Sequence, residues 1–522
     1  MTPARSASSV GTFCLVLHTH LPWLLRHGSW PVGEEWLHQA WAQAYLPVVE
    51  VLERLAAEGR RDLLTLGVTP VLAAQLDDPY CLSRQHAWLG GWQLRAEGLA
   101  TRGERPLRDL AALEFRTATR ALEQFERRWS RGASPVLRGL ADASVVELLG
   151  GPATHAITPL LEPRVARFAL ETGLDDHVLR FGHRPPGIWA PECAYSPGLE
   201  RLYASAGVGH VVVDGPTLLQ AGRTTADAWT IGDSDVVALG RDLDVAYRVW
   251  SPTSGYPGGP WYRDFHTYDH DSGVKPARVT STSTPPEDKA PYDPARARAA
   301  AEADAEDFVS HVRARLSALA DERGRPALVL AAYDTELFGH WWSEGPAFLE
   351  RVLRLLPAAG VRVTTLAGAV EAGHVAGRAD LETGSWGRGK DLSVWSGDAV
   401  GDLRMAGADV QHRLLAFVDA AGSPRARLPA LDAAATQALL ALASDWAFMV
   451  SHESTPDYAR RRAAGHLAAF AEIEAAVRRG DAAPLGLDRP FPHLDARLLL
   501  PARRAAGDGG RSGRPGWNGS PT

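Results

Sequence analysis

Short stretches of this chain carry side chains suited to chemistry on a polar ligand. His18 and His20 stand two residues apart at the end of an apolar run, Phe13 to Leu17. Strand residues alternate faces, so both imidazoles point one way, as a metal pair or as hydrogen-bonding groups in a pocket. No cysteine and no HxxxH spacing adds a third ligand, so no metal is expected. Gly187-Ile-Trp-Ala-Pro-Glu192 and Val329-Leu-Ala-Ala-Tyr-Asp334 each end an apolar strand pattern in a carboxylate. Two carboxylates gathered at strand ends suit glycosidic bonds, one as acid and the other as nucleophile or base. Taken singly, each is equally a helix cap or a salt-bridge partner. Trp386 and Trp395 flank a Gly-rich stretch, and Asp445-Trp446 lies in a helical pattern. Indole stacks on the apolar face of a sugar, although plain core packing accounts for such rings as readily.

The elements that must position these residues alternate. Strand patterns fall at 13–17, 63–68, 145–149, 187–189, 210–213, 235–239, 327–332 and 361–365. Helical patterns run over 34–58, 293–319 and 346–356, with Asp293 as cap and Pro294 at the first helical position of the second. Such alternation predicts a parallel sheet with covering helices, and its spread over the chain suits a barrel better than a doubly wound sheet. Residues 82–132 and 430–478 are helical without strands. Residues 252–292 form a Gly/Pro/Ser/Thr-rich loop, long enough to be either disordered or functional. The expected organisation is a barrel over 1–375 interrupted by a helical insertion at 80–135, a C-terminal helical domain at 376–503, and a disordered tail at 504–522.

Composition narrows the class. Lys plus Arg is 55 against 62 acidic residues, so no basic excess exists for nucleic acid. Only Lys275, Lys289 and Lys390 are lysines, and all other basic residues are arginine, which reads as genome base composition. Cys14, Cys81 and Cys193 are odd in number and widely spaced, as expected in a reducing compartment. The N-terminus lacks the pattern of a signal peptide, and no stretch has the length of a membrane span. A cytoplasmic protein without membrane partners is expected. Oligomeric state is not readable from the sequence.

The motifs together resemble glycoside hydrolase family 57, and within it the group of 1,4-α-glucan branching enzymes. His18-Thr-His20 is similar to the family's first motif and Glu147-Leu-Leu-Gly-Gly-Pro-Ala-Thr-His155 to its second. Trp189-Ala-Pro-Glu192 resembles the third, Tyr333-Asp334-Thr-Glu336-Leu-Phe-Gly339 the fourth and Ser444-Asp445-Trp446 the fifth. The branching group adds Gly255-Tyr-Pro-Gly258, Trp261-Tyr-Arg263-Asp264-Phe265 and the Trp386 to Trp395 segment. The likeness runs from about residue 12 to Asp495.

The resemblance implies a (β/α)7 barrel, an inserted helical subdomain and a C-terminal helical domain closing the groove. It implies Glu192 as nucleophile, Asp334 as acid/base, a retaining mechanism and no cofactor. The substrates would be α-glucan donor and acceptor chains, as in glycogen-type synthesis. His18, His20, His155 and Asp445 would hold hydroxyls at the cleavage subsite. Trp261, Trp386, Trp395 and Trp446, with Arg263, would form the sugar platforms. The family's branching members carry a loop Tyr over the site; here the matching stretch, Thr225 to Ser234, offers Trp229 instead. Competing readings are an α-amylase or 4-α-glucanotransferase on the same scaffold, a zinc-dependent carbohydrate hydrolase using the histidine pair, and a non-catalytic glycan binder.

Overall fold

The computed structural model describes residues 9–29, 32–102, 105–251, 254–269, 272–422, 426–486 and 488–500. The tail expected at 504–522 lies outside them. The fold is mixed α/β with a C-terminal helical region. Its strands are β1 (Gly11–Thr19), β2 (Leu64–Val68), β3 (Val146–Leu149), β4 (Gly187–Ile188), β5 (His210–Val213), β6 (Ala228–Ile231), β7 (Val237–Gly240), β8 (Ala327–Asp334), β9 (Val361–Thr364) and β10 (Val375–Ala379). β6 and β10 were not expected: each is short, and neither shows a clear apolar run.

Two five-stranded sheets result. In the first, β3, β2, β1 and β8 pair in that order, all parallel, and β9 also pairs with β1. β9 follows the first residues of β1 (Gly11 to Cys14), and β2 follows its last (Val16 to Thr19). The second sheet runs β10-β6-β7-β5-β4, with β6 antiparallel to β7. The sheets touch at both ends. Gly150, just past β3, bridges to Ile188 of β4, and Trp189 N–H donates to Gly150 O at 2.9 Å. On the other side Asp242 N–H donates to Leu330 O of β8 at 2.8 Å.

Alternation along the strands sorts their side chains. Cys14, Val16, Leu328, Leu330, Ala332, Leu149, Val212 and Leu239 pack with Trp189 in one buried cluster. Phe13, Leu15, Leu17, Val329 and Ala331 belong to the large cluster shared with the helices. Strands buried on both faces read as unbroken apolar runs, which is why these were legible. The next positions in the first series are His18 and Asp334, which are paired in register on neighbouring strands.

Helices cover the outside. Pro294–Arg323 is capped by Asp293, whose side chain accepts from Ala295 N–H and Arg296 N–H. The stretch after β1 folds as Glu34–Ala40, a π-helical turn Trp41–Tyr45 and Leu46–Ala57. Pro79–Arg102 and Arg105–Gln124 pack against each other. The long loop sits on that pair: Val274 joins Leu99, Leu110 and Ala111, and Arg263 pairs with Glu114 at 2.6 Å. In the C-terminal region Gly401–Ala420, Pro429–Ala441, Ser444–Ser451 and Pro456–Arg479 are helices. No helix among the described residues is long and apolar enough to cross a membrane.

One close approach fixes the segment leading to His155. Helix Pro163–Phe181 presents Gly173 to the turn after β3, and a Cβ there would lie 2.0 Å from Gly151 O. Ala153 N–H donates to Ala169 O of the same helix at 2.9 Å. Backbone cannot retreat as a flexible side chain can. Gly173→Ala is therefore expected to lower unfolding free energy by about 1–3 kcal/mol or more, read as a fall in the urea midpoint.

Candidate active site

Asp334 is the last residue of β8. Glu192 follows β4 in the short turn Pro191–Cys193. Its backbone is left-handed, with φ 58° and ψ 24°, and Cys193 follows at φ 52°. His155 is also left-handed, at φ 60°. Such conformations persist where surrounding bonds over-determine them, and they gather at working sites. Here Trp386 N–H donates to Glu192 O at 2.8 Å, and two bonds between Tyr195 and Gly384 brace the turn beyond it.

The Glu192 side chain is 14% exposed. Trp386 Nε1–H donates to its Oε2 at 2.6 Å, and Ser444 Oγ lies 3.4 Å from Oε1. His155 Nδ1 faces Oε1 at 4.0 Å and shares a 2.8 Å hydrogen bond with Ser444 Oγ. The histidines form a chain: His18 Nε2 meets His155 Nε2 at 3.1 Å, and the His20 ring stacks on His155 at 3.8 Å. His20 is held by Thr69 Oγ1 at 2.9 Å and by Asp445 at 3.0 Å. Trp189 stacks on His18 at 4.4 Å and meets Trp386 edge-on at 4.9 Å. Burial holds His18 and His155 well below the usual imidazole range, so both are neutral donors or acceptors near pH 7.

Both carboxyl groups are held up to about 7. For Glu192 the main cause is burial, with the Asp445 charge adding to it; the bonds from Trp386 and Ser444 work the other way. For Asp334 burial again leads, followed by the charge of Glu192; His20 and Arg241 oppose. Indole and hydroxyl donors favour charge on Glu192, whereas Asp334 has no such hydrogen bond to offset its neighbour's charge. These donors bias the pair toward charge on Glu192 and a proton on Asp334. A third carboxyl, Glu336, is held up to about 8 by burial and by Asp334. It accepts a 2.5 Å hydrogen bond from Tyr45 in the π-helical turn.

Thus His18, His20, His155, Glu192, Asp334, Trp386 and Asp445 come together. Other expected residues do not. Trp395 and Trp446 are 3% and 2% exposed and pack in cores, and a buried ring offers no face to a sugar. Trp261 carries the guanidinium groups of Arg278 and Arg296 over its ring, and Arg263 is tied to Glu114 and Lys275 O in the long loop. The expectation of Trp229 as a loop aromatic over the site is corrected. It lies in β6, paired with β7 and β10, and its Nε1–H is spent on Thr224 O at 2.9 Å. Residues the sequence reading passed over are Arg241, Asp214 and Thr69. Arg241 Nε donates to the buried Asp214 at 2.8 Å, and its guanidinium lies 5.2 Å over the Trp386 ring. Each stands two residues beyond an inward strand position (Leu239, Val212 and Gly67), so period-two counting past the strand ends would have found them.

His20, His155 and Asp445 have ligand atoms within 4.8 Å of one another, the arrangement nearest to a cation site among the described residues. Every ring nitrogen of the two histidines already has a hydrogen-bond partner. A metal would have to displace those partners.

A strand-end carboxylate pair lined by histidines and a tryptophan is the site of a carbohydrate-active enzyme. Residues 14–377 match the family model of glycosyl hydrolase family 57, and the chain belongs to that family. Residues 408–498 match the model described as 1,4-alpha-glucan branching enzyme, C-terminal. The chain is 53% identical over 524 residues to a probable 1,4-alpha-glucan branching enzyme of Mycobacterium tuberculosis, covering 95% of this chain and 99% of that one. It is 31% identical to a 1,4-alpha-glucan branching enzyme of Thermococcus kodakarensis, covering 87% of this chain and 72% of that one. A crystal structure of a branching enzyme of this family from Thermococcus kodakaraensis superposes with a TM-score of 0.89 at 29% identity, covering 94% and 97% of the two chains. The α-amylase AmyC of Thermotoga maritima shares the fold, with a TM-score of 0.83 at 23% identity over 94% and 99%.

Two outcomes follow from the electrostatics. Trp386→Phe removes the donor that favours ionised Glu192, so the acidic limb of kcat/KM against pH should move up by roughly one unit or more. Asp334 has a folded value of about 7 against an ordinary 3.8. A raised carboxyl contributes stability below its unfolded value that is lost as pH rises through the folded value. Asp334→Asn removes that loss. Its melting temperature relative to wild type should climb from about pH 4 to 7 and level off above, as differential scanning fluorimetry at stepped pH would show.

Proposed function

We propose that this protein is a 1,4-α-glucan branching enzyme that works by retaining double displacement. The observation that carries the chemistry is the pair itself: Glu192 with donors that favour its charge, and Asp334, raised by burial and by the charge of Glu192. The branching-enzyme relatives over the whole chain carry the choice of reaction.

Asp334 donates its proton to the glycosidic oxygen while a Glu192 carboxylate oxygen attacks the anomeric carbon. The C–O bond to the leaving chain breaks as the glycosyl–Glu192 ester forms. A 6-hydroxyl of an acceptor chain then attacks the same carbon, Asp334 takes its proton, and the ester bond breaks. Two inversions give net retention, and an α-1,4 bond becomes an α-1,6 bond. Retention calls for carboxyl groups roughly 5–5.5 Å apart. His18, His20 and His155 and the Asp445 carboxylate supply donors and acceptors for the sugar held at the point of cleavage, and Trp386 supplies an apolar wall.

The scaffold reading is a seven-stranded (β/α)7 barrel of β1, β2, β3, β4, β5, β7 and β8. It is supported by the links from Gly150 to Ile188 and from Asp242 to Leu330, and by the single inward cluster around Trp189. On this reading 1–375 is the barrel, 80–135 its helical insertion, and 376–503 the helical part that covers the groove. Bonds from Ser444 and Asp445 to His155 and His20 support that cover. A cytoplasmic place is favoured by three free, buried cysteines.

The test is incubation with amylose, scoring new α-1,6 linkages by proton NMR against new reducing ends. Linkages should outnumber reducing ends. A wild-type protein that releases reducing ends without forming α-1,6 bonds would be an amylase instead. Glu192→Gln keeps the shape of the nucleophile and removes its charge, so activity should fall by several orders of magnitude with the fold intact. Near wild-type turnover in that variant would remove Glu192 from the mechanism.

A further inference from the structure

Lysine is rare in this chain, three residues among 55 basic ones. Lys390 is one of them, and it occupies a backbone conformation that suits glycine: φ is 61°, directly after Gly389 at 82°. Something must hold a side chain there. Its Nζ lies 2.8 Å from Asp214 Oδ2 and donates to Trp386 O at 3.2 Å. Asp214 is fully buried just past β5, and Arg241 occupies its other oxygen. The turn closes on itself, with Lys390 N–H donating to Gly387 O at 3.0 Å and Ser385 N–H to Lys390 O at 3.2 Å. A guanidinium is a flat fork best matched to two oxygens of one group. Here one carboxylate oxygen and a separate carbonyl remain to be met, which the three donors of an ammonium can do.

We propose that Lys390 is a positioning residue that latches the Trp386 turn onto the strand ends through Asp214, and so maintains the hydrogen bond from Trp386 to Glu192. This rests on the reading of Glu192 as the nucleophile. Charged and titratable groups facing the latch are Asp214, Arg241, Cys193 and Tyr247. Those facing Glu192 are Asp334, Asp445 and His155. None of them replaces the indole N–H, so a loosened turn leaves the Glu192 charge less favoured.

Lys390→Gly is the informative variant, because it removes the ammonium while suiting the left-handed backbone. The pH profile of kcat/KM on amylose should show its acidic limb raised by roughly half to one unit. In a Trp386→Phe background the same change should add no further shift, since the bond it maintains is already gone. Asp214→Asn, if folded by circular dichroism, should raise the limb in the same direction. An unmoved acidic limb in Lys390→Gly, a uniform loss at every pH, or a shift that adds to that of Trp386→Phe would overturn the latch. Retained activity in Glu192→Gln would instead overturn the assignment of the nucleophile, so the two failures are told apart.

Discussion

Two carboxyl groups withdrawn from water beside each other resist ionising together near neutral pH. That constraint organises the site. Burial alone would push both up and leave neither with a role. The structure breaks the symmetry with donors: indole and hydroxyl on Glu192, none of that kind on Asp334. One group is thereby inclined to be the anion and the other the acid, which is the division of labour that glycosidic chemistry requires. The buried His18 and His155, held well below the usual imidazole range, leave no imidazolium from either ring beside Glu192 near pH 7.

The bonds that impose this division span the chain. Trp386 reaches Glu192 across 194 residues, His20 reaches Asp445 across 425, and His18 reaches His155 across 137. The C-terminal helices are therefore part of the site as well as of the core. Phe470 and Ile473 of the last long helix pack in the same cluster as Phe13 and Leu15 of β1. The strained turn at Glu192 depends on Trp386 and Gly384 in the same way. A carboxylate with an unfavourable backbone conformation is steadied by a segment from the far side of the sequence.

Outer features also reach the carboxyl cluster. The π-helical turn after Ala40 brings Tyr45 to Glu336, two residues beyond Asp334. A π turn inside a helix often marks a functional place, and here its product is a hydrogen bond to a third buried carboxyl. The described part of the loop rich in Gly, Pro and Ser packs against the helical pair through Val274 and Arg263.

Much of the architecture was legible because its cause is local. Strands buried on two faces must be apolar throughout, so β1, β8 and β5 stood out, while β6 and β10, short and partly exposed, did not. The Asp293 cap and its following proline marked a helix start for reasons contained in four residues. Glu192 and Asp334 were legible because a carboxylate ending an apolar run is unusual. What sequence could not decide was which tryptophan meets the carboxyl pair. Trp386, Trp395 and Trp446 are chemically alike in the sequence, but only Trp386 donates to Glu192, and the other two fill cores. Trp229 was placed on a loop and lies in a strand. Nor could sequence show that Ser444 and Trp386, far along the chain, would bias one of two similar acids toward charge. Residue type sets what a group can do; the direction it faces and the partners it meets are settled only when distant segments close around it.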